Sequence, residues 1–246
     1  MTWYATHKNG IVVGPDGNDS IGVGSFAQPL ATVNAALDLV TTARKTIYIL
    51  EGEYSETAIT WPNITGVSLV GLGDVTISNS DAAAAVITID PTYTASTFEA
   101  TLRDVGIAAD TQIGLKIDNS AMTKKLNVYL YGVSAEMDTS GDSIDMANST
   151  ATQAIRMYVD NCNFEGLVHL TSANAGGRFR SHNSIFTGGI TTAGAVAHEL
   201  SLMGCTVLTG ALTIGSASWD LTYRGCVYAT DADPAVYSEL ADGYSA

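Results

Sequence analysis

Beyond about residue 45, apolar side chains fall at every second position in short bursts, lose phase for one or two residues, and resume. Aligning the chain on Val75, Val105, Val133, Cys162, Ser184, Cys205 and Cys226 turns these bursts into columns, with spacings of 30, 28, 29, 22, 21 and 21 residues. Two residues later come Ile77, Ile107, Ala135, Phe164, Phe186, Val207 and Tyr228. Three residues earlier come Leu72, Leu102, Leu130, Val159, Ser181, Leu202 and Tyr223, and five earlier Val70, Ala100, Val128, Met157, Phe179, Leu200 and Leu221. Pairs two apart are the signature of strands with one buried face, and no helical period competes with them.

The break in phase has a cause. Immediately before the column stand Asp74, Asp104, Gly132, Asn161, Asn183, Gly204 and Gly225, all of them types that tolerate a left-handed backbone. One such residue per repeat turns a corner while both flanking strands keep their side chains pointing inward. A third strand follows in most repeats, marked by Ile87/Ile89, Leu115/Ile117, Ile144/Met146, Val168/Leu170, Ile190/Thr192 and Leu212/Ile214. A rung of three short strands cannot bury its apolar face alone, so neighbouring rungs must stack and share one core. The pattern predicts an all-β fold, a single-stranded right-handed parallel β-helix of about seven rungs. An antiparallel sandwich or barrel is the rival, but its hairpins do not demand one phrase at one offset.

The ends of such a coil need covers, because open strand edges invite aggregation. In QPLATVNAALDLVTT, Leu30, Val33, Ala36, Leu37 and Val40 share one helical face and predict an N-terminal capping helix. In DADPAVYSELADG, Asp233 as N-cap, Pro234 in the first turn and Gly243 as a stop predict a short closing helix or turn. The expected division is 1–45 for strand, loop and capping helix, 46–230 for the coil, and 231–246 for the C-terminal cap or tail.

Composition removes several classes. A net charge of −14 with eleven basic residues argues against a nucleic-acid partner. Every apolar run is interrupted well short of the ~20 residues of a membrane span, and the N-terminus lacks the layout of a secretory signal. The expectation is a soluble protein made in a cytoplasm. Three cysteines have no metal-ligand spacing; in the aligned column they read as small buried side chains stacked with Ser184, Val105 and Val133. No cofactor and no metal are expected.

The entry segment carries a family likeness: Tyr4, GNDS at 17–20, Gly24, Ser25, Pro29, Thr32, Ala35-Ala36, then an Ile-rich strand and EGEY at 51–54. It resembles the start of the right-handed β-helix (pectin-lyase-like) superfamily, in which a strand, a loop and a capping helix precede the coil. The resemblance implies the fold; it implies no single activity, because that superfamily spans pectinolytic enzymes, bacteriophage tailspikes and non-catalytic virion proteins.

Candidate chemistry lies in corner insertions at 78–86, 108–114 and 136–143, which enlarge one corner and bring Asp81, Asp110, Glu136, Asp138 and Asp142 together if the rungs stack in order. Asp110, Asp138 and Asp142 are the candidates for catalysis, since carboxylates on neighbouring rungs suit the ~5–9.5 Å spacing of glycosidase pairs. The bland reading of the same residues is solvated polar loops on an acidic protein. DTSGDSID at 138–145 only loosely resembles a calcium loop, lacking its glycine and terminal glutamate. With no family catalytic motif mapping onto the chain, the leading expectation is a non-catalytic structural component of a bacteriophage particle. A tail spike or fibre segment and a capsid decoration protein both fit, assembled in the host cytoplasm as a homotrimer with other virion proteins. The alternative is a polysaccharide-binding or polysaccharide-degrading β-helix protein.

Overall fold

The computed structural model describes residues 9–79, 83–109, 113–137, 141–148, 154–172, 177–194, 198–208, 212–214 and 219–228. The chain is a parallel β-helix, and every interstrand pairing between its strands is parallel. After β1 (Ile11–Val13) and α1 (Val33–Asp38), two long bent strands begin the coil, β2 (Thr46–Glu56) and β4 (Val67–Asn79). Each runs through two faces at once.

Beyond them the rungs separate into three strands each. The first face stacks β6 (Phe98–Arg103), β9 (Leu126–Tyr131), β12 (Ile155–Asp160), β15 (Arg178–His182), β18 (His198–Met203) and β21 (Trp219–Arg224). Around the corner the second face stacks β7 (Gly106–Ala109), β10 (Ser134–Met137), β13 (Asn163–Phe164), β16 (Ile185–Phe186), β19 (Thr206–Val207) and β22 (Val227–Tyr228). The third face is a seven-stranded sheet of β3 (Ile59–Thr60), β5 (Ile87–Ile89), β8 (Leu115–Asp118), β11 (Asp142–Asn148), β14 (Leu167–Ser172), β17 (Ile190–Ala193) and β20 (Leu212–Ile214).

The corner residue behaves as its chemistry dictates. Asp104, Asn161 and Asn183 take φ of 52°, 60° and 48°, and Gly132, Gly204 and Gly225 take 60°, 64° and 62°. Their successors Val105, Val133, Cys162, Ser184 and Cys205 are buried in one inward ladder, and Cys226 packs on it half-buried in the last described rung. The third-strand pairs also stack as expected, Ile87 on Leu115, Ile144, Val168, Ile190 and Leu212.

Three expectations need correction. Asp74 is not the corner residue of its rung; Gly73, with φ of 110°, takes that conformation. Leu69 rather than Leu72 pairs with Leu102, and Val67 rather than Val70 pairs with Ala100, while Ile77 still meets Ile107. Six steps separate Leu69 from Val75 where three separate Leu102 from Val105, so β4 carries three extra residues in its bend. Gly71 makes room for them: a Cβ there would stand 1.8 Å from the Asp104 carbonyl oxygen. Tyr223, placed inward by the alignment, is 47% exposed.

The capping helix is shorter than its apolar face suggested, six residues with Thr32 as N-cap accepting from the Ala35 N–H. Leu30, Val33, Ala36, Leu37 and Val40 are nonetheless all buried against the first rung. Its first turn is satisfied from below by the buried Glu56, whose carboxylate accepts from the Val33 and Asn34 backbone N–H groups and from Asn34 Nδ2. The C-terminal cap expected at Asp233, Pro234 and Gly243, and Tyr4 of the entry segment, lie outside the described residues.

Candidate functional site

The three insertions do share one corner, joining the second face to the third, since they follow β4, β7 and β10 and precede β5, β8 and β11. Asp81, Asp110 and Asp138 lie outside the described residues. Glu136 is exposed on β10. Asp142 opens β11 on the third face, with Oδ2 4.0 Å from Nδ1 of His169 on β14. Burial pushes the Asp142 carboxyl above its ordinary value; His169 opposes that shift and Asp145 adds to it. The other imidazole nitrogen of His169 lies 3.2 Å from Thr171 Oγ1. This row can hold a proton, but 4.0 Å is too long for a hydrogen bond between imidazole and carboxylate. Among the described residues no group of three His, Cys, Asp or Glu side chains is placed to hold a metal.

A denser constellation stands on the outward side of the first face. The strand register places Asn127, Arg156, Arg178 and Glu199 in one outward column, Tyr129, Tyr158 and Arg180 in the next, and Arg103, Tyr131, Asp160 and His182 in the third. The chain has six arginines, at 44, 103, 156, 178, 180 and 224. All but Arg44 lie on this face, in a molecule of net charge −14.

The side chains there are ordered by one another. Tyr129 stacks on Tyr158 with centroids 5.2 Å apart and planes 11° from parallel, and lies parallel to Tyr131 at 6.5 Å. Arg103 sits over the Tyr131 ring, 4.6 Å from its centroid, in cation–π contact. The Glu199 carboxylate divides itself between two guanidiniums, Oε2 forming an ion pair with Arg178 Nε and Oε1 accepting from Arg180 Nε, each at 2.7 Å. Arg156 Nε and Asn127 Oδ1, neighbours on paired strands, are each buried with no protein partner. Burial raises the Tyr129 phenol above its ordinary value, with Glu99 and Tyr158 adding to the shift, so the phenol keeps its proton and remains a donor at neutral pH.

Chemically this is a half-exposed lane in which hydroxyl edges and guanidiniums repeat at the ~4.8 Å spacing of strands. Tyrosine offers an apolar body with a polar tip. Arginine offers a planar fork matched to carboxylates. The inward apolar columns do not single these residues out, yet the sequence carries a signal for them. They stand two, four and six residues before the corner column in successive repeats: Asn127, Tyr129 and Tyr131; Arg156, Tyr158 and Asp160; Arg178, Arg180 and His182.

No family model matches the chain, and no curated protein matches it. Among solved structures, a pectin methylesterase from carrot aligns over 90% of this chain and 83% of its own, at 12% identity and a TM-score of 0.44. A pectin methylesterase from Aspergillus niger, in deglycosylated form, aligns over 97% and 91%, at 15% identity and a TM-score of 0.36. No residue role passes from either to this chain.

Proposed function

We propose that this protein binds polysaccharide along the outward lane of its first face. One observation carries the reading: five of six arginines lie on the face that carries the stacked Tyr129, Tyr131 and Tyr158, interleaved there with Glu99, Asp160, Glu199 and Asp220, in a molecule of net charge −14. A stiff sheet holds these groups without loop entropy to lose on binding, which favours recognition of an extended chain. The guanidiniums favour sugars that carry carboxylates, and the tyrosine edges supply hydroxyl contacts that any sugar can use.

Calorimetric titration with a polyuronate and with a neutral glucan tests the reading. Tyr158→Ala and Arg156→Ala are each expected to weaken binding about tenfold or more, the scale of anchoring Tyr and Arg side chains at interfaces. Asp142→Asn, on another face, is expected to leave binding unchanged. A panel of polysaccharides in which none binds, or in which these lane variants bind as well as the parent, overturns the proposal.

Placement on a virus particle as a homotrimer is a companion proposal. It draws on the rod-like coil and on Ile185 and Val227, 41% and 61% exposed along the second face. Light scattering of the purified chain tests the threefold assembly; a monomer at micromolar concentration removes it and leaves sugar binding untouched.

A further inference from the structure

We propose that Cys205 and Cys226 form a site of reversible oxidation, an intramolecular disulfide that ties the last described rung to the one before it. Thr206 pairs with Val227 and the Val227 N–H donates to the Cys205 carbonyl at 2.9 Å, so the two cysteines stand one above the other in adjacent parallel strands. Strand spacing puts their Cα atoms ~4.8 Å apart, inside the ~4.4–6.8 Å range of natural disulfides. Both side chains turn to the same interior: Cys205 is buried and Cys226 packs on the core.

Cys162 shows what the pairing adds. All three sulfurs make the same backbone contacts, each within 3.4–3.6 Å of two oxygens its one S–H can serve, the carbonyl two residues back and a carbonyl of the rung below. For Cys162 these are Asp160 and Leu130, for Cys205 Met203 and Ser181, and for Cys226 Arg224 and Leu202. Cys162, however, has Val133 and Ser184 as its column neighbours and lies two rungs from Cys205, beyond disulfide reach. Cys226 has another thiol beneath it, and the interaction of the two draws the Cys205 thiol down and pushes the Cys226 thiol up.

In-register side chains stand slightly farther apart than the ~3.8 Å Cβ separation of a disulfide, so closure needs a small tilt of one strand. β22 is only two residues long, Val227–Tyr228, so a tilt there disturbs few ladder bonds. A small disulfide such as oxidised glutathione supplies the oxidising equivalent. One cysteine of the pair, as its thiolate, attacks a glutathione sulfur, forming a mixed disulfide and releasing one glutathione thiolate. The other cysteine then loses its proton and attacks the protein sulfur of that mixed disulfide, expelling the second glutathione thiolate, and the two cysteine protons end on the two glutathione thiols. One protein disulfide forms as one glutathione disulfide is reduced to two thiols.

The test uses the full chain, fully reduced and then equilibrated with oxidised glutathione. Titratable thiols in denaturant are expected to fall from three to one, with a mass loss of about 2 Da and no retained adduct. Peptide mapping is expected to link Cys205 to Cys226, and amide exchange over 219–228 to slow by about tenfold. Cys162→Ser is expected to lose two thiols as the parent does, and Cys226→Ser to lose none. Three surviving thiols, arrest at a mixed disulfide, or linkage through Cys162 overturns the proposal; should Cys226→Ser fail to fold, the map of the parent decides.

Discussion

At the scale of single residues, the corner column separates two effects that substitution to alanine usually mixes. Gly225 has open space around the position of a Cβ, so Gly225→Ala meets only the left-handed backbone and is expected to lose about 1 kcal/mol in chemical denaturation. Asn161→Ala is expected to lose a similar amount and Asn161→Gly almost none. Gly71 has no left-handed φ, but a Cβ there runs into backbone. Gly71→Ala is therefore expected to lose several-fold more than Gly225→Ala; equal losses would show that close approach is not what fixes Gly71. Asp142 offers a pH test. Its folded-state carboxyl is raised by burial against the opposing pull of His169, so its contribution to stability is full below the ordinary carboxylate range. That contribution is lost as pH rises through the raised value. Asp142→Asn should accordingly gain on the parent between pH 3 and pH 7, read from denaturation midpoints at the two ends. No change across that window would place the carboxyl in a solvent-like setting.

At the scale of elements, α1 depends on β2 more than on its own length. Six residues make too short a helix to persist alone, and Glu56 supplies the acceptors that its first amides lack. Glu56→Ala strands those buried donors and is expected to lose about 2–3 kcal/mol, with fraying of Val33–Asp38 seen by amide exchange. The strands themselves were legible in the sequence wherever a rung has ordinary length, because inward pairs and a left-handed corner repeat at fixed offsets. The bend of β4 was not legible: its extra residues follow Val70, which pairs with Arg103, and Val70 and Leu72 are apolar at the offsets where inward residues belong, so hydrophobicity alone chose the wrong pair. The lane on the first face was missed for a related reason. Outward positions carry no shared hydrophobic constraint, and Arg156 meets Arg178 only through a register that the inward columns set. Of the acidic corner, sequence order rightly joined the three insertions at one edge, but it could not foresee that Asp142 faces His169 from β14.

At the scale of the whole molecule, stability is a sum over stacked rungs and their interfaces. Asn183 and Gly204 occupy the same corner in successive rungs, so deleting residues 184–204 rejoins the chain in phase. The shortened protein is expected to fold cooperatively with a lower thermal midpoint, measured by calorimetry, whereas a deletion of about ten residues from the same place is expected to leave it unfolded. The long bend of β4 gives this modularity a limit. A spring whose loops are nearly alike can mesh one loop too early or too late as it winds. The oversized bend at Gly71–Gly73 is the tooth that fits a single notch, the bare backbone beside Asp104, and so it tells the winding chain where counting begins.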